Sequence, residues 1–201
     1  MATATRDSRT TVGTRDAILH RAVDLASTQG LEGLTIGRLA GELEMSKSGL
    51  FGHFGSKQEL QLATIDAAER RFVQAVVEPT LGEPEGAPRL RALCDRFLVY
   101  LEGRVFPGGC FWAATAAEFD GRPGPVRDRV REGIGAWLAA LERQAELAGA
   151  ADPAQLAFEL QALAQGANSS YQLFGDRRAF DQARRAIEPL LPAAQARKRA
   201  K

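Results

Sequence analysis

The chain has 201 residues, 45% of them hydrophobic and 25% charged, with a formal net charge of +1 and two cysteines. These are the proportions of an ordinary soluble globular protein of one or two domains with a substantial core. No apolar run approaches membrane-spanning length and MATATRDSRTTVGT lacks the apolar core of a signal peptide, so neither a membrane partner nor export is expected, and a cytoplasmic location with reduced thiols is.

In chain order, residues 1–13 read as a flexible arm carrying Arg6 and Arg9. Thr14 is expected to cap a first helix with Ile18, Ala22, Leu25 and Ala26 on its apolar stripe, stopped by Gly30. Thr35 caps a short second helix through Ile36, Leu39, Ala40 and Leu43. Glu44 and Met45 then turn to Ser46, the cap of a third, so the pair has the form of a helix-turn-helix. Leu50 and Phe54 lie four apart on the inner face of that third helix, leaving Lys47, Ser48, Phe51 and His53 outside the core. Ser56 with Glu59 forms a capping box, and Leu60, Ala63, Ala67, Phe72 and Val76 continue one long helix to Pro79.

Residues 79–88 are rich in helix breakers. Further helices are expected at about 90–102, 110–119, 126–148, 153–174 and 178–191, with a turn at 105–109 and a break at DGRPGP. With low strand propensity throughout, the fold class is all-α. The run Arg197, Lys198, Arg199 and Lys201 makes 193–201 a basic, disordered tail.

A net charge of +1 argues mildly against nucleic acid until its placement is considered. Arg6, Arg9 and Arg15 crowd the first segment and Lys47 and Lys57 flank the third helix, while Asp24, Glu32, Glu42 and Glu44 are expected to turn away from a duplex. Cys94 and Cys110 stand in no metal-ligand spacing with either histidine, so no metal or cofactor is expected.

The span from Thr14 to Leu62 resembles the DNA-binding domain of the TetR family of bacterial transcriptional regulators. Three pieces carry the likeness: Thr35 to Ala40 (T-x-x-x-[LI]-A), Phe51 to Phe54 (aromatic-x-H-F), and Ser56 to Leu60 (S-K-x-x-L). The resemblance implies a DNA-binding domain at 14–60, and at 61–192 a helical domain for effector binding and dimerisation. Lys47, Ser48 and Gly49 match positions that approach base edges in the major groove. Phe51 stands where the family often has tyrosine with its hydroxyl on phosphate, so sugar or thymine-methyl contact and plain packing both remain open. His53 and Lys57 match phosphate-contacting positions, and Thr35 marks a helix start whose amides suit a phosphate. Gly37 departs from relatives with a base-reading side chain there, leaving Arg38 as a weaker substitute. The implied partners are a double-stranded DNA operator, a second copy of the chain and an unidentified small-molecule effector.

In the body, Leu156, Leu160, Leu163 and Ala167 with Gly166 form a small-and-apolar face suited to a dimer interface, though a core helix would look the same. Phe97, Tyr100, Phe111, Trp112, Phe119 and Trp137 are candidates for an effector pocket, with plain core as the competing reading, and Arg104 and Glu118 are candidate polar anchors. Cys110 reads as a buried structural thiol or a redox sensor. The function that results is a ligand-responsive repressor on a palindromic operator, not an enzyme. The alternative is an all-helical small-molecule-binding protein or enzyme with an incidental helix-turn-helix.

Overall fold

The computed structural model describes residues 8–193, with side chains from residue 14 onward, and every regular element among them is helical. The head consists of α1 (Ser8–Gln29), α2 (Ile36–Glu42) and α3 (Lys47–Phe54), followed by α4 (Lys57–Phe72), which leads into the body. The body is α5 (Ala87–Glu102), α6 (Phe111–Phe119), α7 (Pro125–Leu147), α8 (Pro153–Phe174) and α9 (Arg178–Ile187). Among the described residues no helix is long and apolar enough to cross a membrane.

The expected caps of the head are present. Thr35 Oγ1 accepts from the Arg38 amide at 3.2 Å, Ser46 Oγ from Gly49 at 3.0 Å and Ser56 Oγ from Glu59 at 3.0 Å. Each satisfies a donor that the first helical turn leaves unpaired. The Ser56 amide donates to Phe54 O at 2.8 Å, which takes the place of the reciprocal arm of the capping box.

Other boundaries differ from expectation. The first helix begins at Ser8, so Thr14 lies within α1 and does not cap it, and residues 8–13 of the expected arm are helical. Residues 1–7 of that arm and 194–201 of the basic tail lie outside the described residues. Proline accounts for the remaining shifts. Pro88 and Pro125 sit in the first turns of α5 and α7, where a missing N–H costs nothing, so these helices start earlier than expected, while α8 starts at Pro153 as expected. After Phe72 the chain continues through a π-helical turn, Val73–Val77, and a 3-10 turn, Glu78–Thr80, that takes up Pro79.

Two cores result. In the head, Ile18, Leu39, Leu50, Leu60 and Ile65 are at most 1% exposed. In the body an aromatic cluster gathers around Phe72 at the end of α4, whose ring meets Tyr100 at 5.2 Å, Trp137 at 5.3 Å and Phe97 at 6.0 Å, all edge to face. The helix that starts beneath the third helix of the head therefore ends in the centre of the body.

Head and body are also clasped on the other side. The Gly108 amide donates to Ser27 Oγ at 3.2 Å, and Glu118 of α6 accepts from the amides of Leu31 at 2.7 Å and Glu32 at 2.9 Å. Glu118 is thus a joint between domains and not a ligand anchor. Arg104, in a left-handed conformation at φ 52°, lies over the ring of Tyr171 and is likewise occupied.

A Cβ on Gly108 would stand 1.8 Å from the carbonyl oxygen of Ser27. Gly108→Ala is expected to force the two backbones apart at a cost of about 1–3 kcal/mol. For a chain of this size that is a fall in Tm on the order of 3–10 °C, to be measured by thermal denaturation. An unchanged Tm would mean that the clasp contributes nothing to stability.

Candidate functional site

The outer face of α3 is held rigid by what lies under it. Leu50 is fully buried and Phe54 is 6% exposed, with the Arg15 guanidinium 5.2 Å over the Phe54 ring, while the Ser46 cap fixes the first turn. Lys47, Ser48, Gly49 and Phe51 are exposed and His53 is half-buried. Phe51 is 54% exposed, so a packing role inside this chain is corrected: its ring faces outward.

Gly37 acquires a reason that periodicity did not supply. A Cβ there would lie 3.3 Å from Lys47 Cε and 3.7 Å from Nζ, so the lysine stem crosses the bare backbone of α2. The glycine removes one side chain and seats another. Arg38 beside it is exposed, and Thr35 commits its hydroxyl to capping α2.

Lys57 stands differently from expectation. Its ammonium lies 2.6 Å from Glu32 Oε1, and the same carboxylate is reached by Gln61 at 3.3 Å and by Arg122 at 3.7 Å. The hydrogen bond from Lys57 holds the Glu32 carboxyl below the usual carboxylate range. The charge of Lys57 is therefore largely neutralised where a phosphate contact was expected. Asp24 and Glu42 pair with Arg71 and Arg21, so the charge of these acids is offset within the head and its junction with α4.

In the body, three of the six candidate pocket residues line one cleft. Phe97, Trp112 and Trp137 face it together with Phe72, Cys110, Gly133, Ile134, Gln161 and Gln165, around a space of about 10 Å³. Tyr100, Phe111 and Phe119 do not line it. They are core, at 5% exposure or less, because their spacing turns them into the packing between α5, α6 and the head. Phe72, Gln161 and Gln165 were missed: the first reads as a plain long-helix residue and the glutamines as solvated surface.

Both cysteines are free and buried. Burial pushes the Cys94 thiol up to about 12, which keeps it protonated. Cys110 caps the start of α6, with the Tyr100 hydroxyl 3.7 Å and the Gln165 amide 3.4 Å from its sulfur.

The expected interface residues need correction. Leu156, Leu160 and Ala167 are 8%, 2% and 5% exposed and belong to the subunit's own core. Leu163 is half-buried, beside a shallow groove between α8 and α9. Helix α8 has two apolar sides, and the one left bare carries Phe158 at 65% and Leu173 at 76% exposure, with Ala162 and Gly166 between them; Phe174, also exposed, ends the helix on the other side.

An all-helical chain with a capped helix-turn-helix joined by a continuous helix to a helical body defines a class of one-component DNA-binding regulator. Residues 86–187 match the tetracyclin repressor-like C-terminal domain, and residues 18–64 match the bacterial regulatory proteins of the tetR family. The chain belongs to the TetR family of transcriptional regulators. Over 95 residues it is 34% identical to the HTH-type transcriptional regulator TcmR of Streptomyces glaucescens. That match covers 47% of this chain and 40% of TcmR, so the chain spans about two-fifths of the curated relative's length. Its fold is similar to a TetR transcriptional regulator from Chloroflexus aurantiacus (TM-score 0.83, 24% identity, covering 90% of this chain and 95% of that one). It is also similar in fold to AibR, solved in complex with isovaleryl coenzyme A and operator DNA (TM-score 0.71, 21% identity, covering 89% and 98%).

Two substitutions test the α3 face. Lys47→Ala is expected to lower specific DNA affinity by about 1–3 kcal/mol while affecting random DNA less, as measured by fluorescence anisotropy. Equal losses would assign Lys47 to phosphate. Phe51→Tyr adds a hydroxyl to an exposed ring and is expected to tighten binding by about 1 kcal/mol, whereas unchanged or weaker affinity would place that ring edge away from the backbone.

Proposed function

We propose that the protein is a repressor that binds a palindromic operator as a homodimer and releases it when a small molecule enters the body. The observation that carries this reading is the exposed face Lys47, Ser48, Gly49 and Phe51 on a short helix fixed by the Ser46 cap. Such a face offers a cation and a hydroxyl to base edges and an apolar ring to a thymine methyl or sugar. In the same proposal Arg38 and His53 flank this surface, and Thr35 brings the start of α2 to a phosphate. Lys57 contributes only while sharing its charge with Glu32. No catalytic step is part of the proposal.

A palindromic operator calls for two heads related by a two-fold axis. The bare side of α8, from Phe158 to Leu173, supplies the apolar surface for that pairing, and Gly166 in its middle lets two helices approach closely. Release then follows from the route of α4, whose end lies in the aromatic cluster of the body while its start supports the head.

Anisotropy with the intergenic DNA beside the gene tests the regulator reading, and sedimentation tests the pairing. Leu173→Glu is expected to give a monomer with full helical circular dichroism and weakened operator binding, because a charge on the bare face has no partner in the dimer. In contrast, Leu160→Glu is expected to unfold the subunit. An intact Leu173→Glu dimer would place the interface elsewhere.

A further inference from the structure

Resting on the reading of the body as an effector-binding unit, we propose that the effector is an uncharged, flat aromatic molecule bearing a carbonyl acceptor, and that its site is divided in two by the indole of Trp112. Beside the inner cleft lies a second, outer one, and the two share Phe72, Trp112, Gly133 and Trp137. The inner cleft has room for about one water, about 10 Å³, and the outer one for about 200 Å³, both short of the ~300–1,000 Å³ of small-molecule sites. Joined as they stand they still fall short, so a ligand of ordinary size fits only when the indole between them moves.

Trp112 is the partition. The benzo end of its indole closes on the backbone of Gly133 in α7, where a Cβ would stand 2.3 Å from Cη2 and 2.4 Å from Cζ3. The two tryptophans are held differently. Trp137 Nε1 donates to Gln161 Oε1 at 2.8 Å, whereas the Trp112 N–H makes no hydrogen bond among the described residues, so packing alone keeps it in place. The outer cleft is lined by Val73 and Val77 of the π-helical turn, an irregularity that recurs at functional sites.

The lining specifies the chemistry. Trp137 and Phe97 lie 4.9 Å apart and Phe72 meets Trp137 edge to face, surfaces on which a flat ring system stacks. No charged side chain lines the inner cleft. In the outer one Glu69 alone is charged, and it is paired with Arg129. An ionised ligand would lose its hydration there without a counter-charge. The polar groups left to a ligand are donors. Gln161 spends its oxygen on Trp137 and keeps its NH₂, and Gln165 Nε2 rests only on the weakly accepting sulfur of Cys110. Asn168 Nδ2 donates to Gln165 Oε1 at 3.3 Å, which holds the oxygen of that amide and leaves its NH₂ as the end a carbonyl can take from the sulfur. A ring system that parts Trp112 from Gly133 also presses on Phe72, the last residue of α4, and so on the helix that carries the head.

The two tryptophans of the chain both wall the site, so intrinsic fluorescence of the full-length protein reads occupancy directly. The probes are 1,8-dihydroxyanthraquinone, the anionic anthraquinone-2-sulfonate and isovaleryl coenzyme A. The neutral quinone is expected to quench saturably and to bind at least tenfold more tightly than either anion. Gln161→Leu is expected to weaken it fivefold or more, and Trp112→Phe to speed its association. Equal or tighter binding of an anion, or no saturable quenching by the quinone in either the native protein or Trp112→Phe, would overturn the proposal. Operator binding followed in the same samples separates the two ideas: kept without quinone binding, the ligand class is wrong; lost in the unliganded native protein, the regulator reading itself fails.

Discussion

Two amides and one carboxylate make a single object of this molecule. Gly30, at φ 84°, ends α1 and turns the N–H groups of Leu31 and Glu32 onto Glu118 of α6. A buried amide pair without an acceptor is costly, and a carboxylate accepting two amides is among the stronger neutral-to-charged contacts a protein makes. The approach requires glycine, since a Cβ at Gly30 would come within 2.7 Å of Glu118 Oε1. With the Gly108 clasp alongside, the head cannot move independently of α6. The other connection, α4, is covalent and ends at Phe72. Head position is therefore set at two points, one on each side, and both lead to helices that wall the aromatic clefts.

The same joint organises charge. Glu32 gathers Lys57, Gln61 and Arg122 around one carboxylate, so a cation that belongs to the head in sequence is bound up with the interdomain corner in space. Of the charged side chains on α2 and α3, Glu42 is paired with Arg21, while Lys47 and Arg38 make no ion pair among the described residues and stand exposed with the ring of Phe51. This concentrates unpaired positive charge near the short helix, and a chain of net charge +1 thereby presents a cationic face without being basic overall.

In the body, glycine and tryptophan divide the work that larger families of side chains usually share. Gly133 accepts the indole of Trp112 against bare backbone, while Gln161 fixes Trp137. One aromatic wall is hydrogen-bonded and the other is only packed. The neighbouring π-helical turn at 73–77 widens α4 where the outer cleft begins.

How much of this was legible beforehand depends on whether the controlling interaction is local. The caps at Thr35, Ser46 and Ser56, the helix-turn-helix spacing, the all-α class and the helix from head to body follow from neighbours within one turn, and the sequence alone determined them. Nonlocal partners were hidden. Helix α8 carries apolar residues on two sides, and periodicity cannot say that Leu156, Leu160 and Ala167 face inward while Phe158 and Leu173 face out. Prolines at 88 and 125 look like breakers until the chain is seen to enter a helix at each. Lys57 looks free until Glu32, twenty-five positions away, folds beside it. Glu118 and Leu31, eighty-seven apart, meet only because two cores hold α1 and α6 in register. Local hydrogen bonding wrote the helices into the sequence; tertiary packing decided which charges were spent inside the protein, which face stayed bare, and which aromatic rings enclose space.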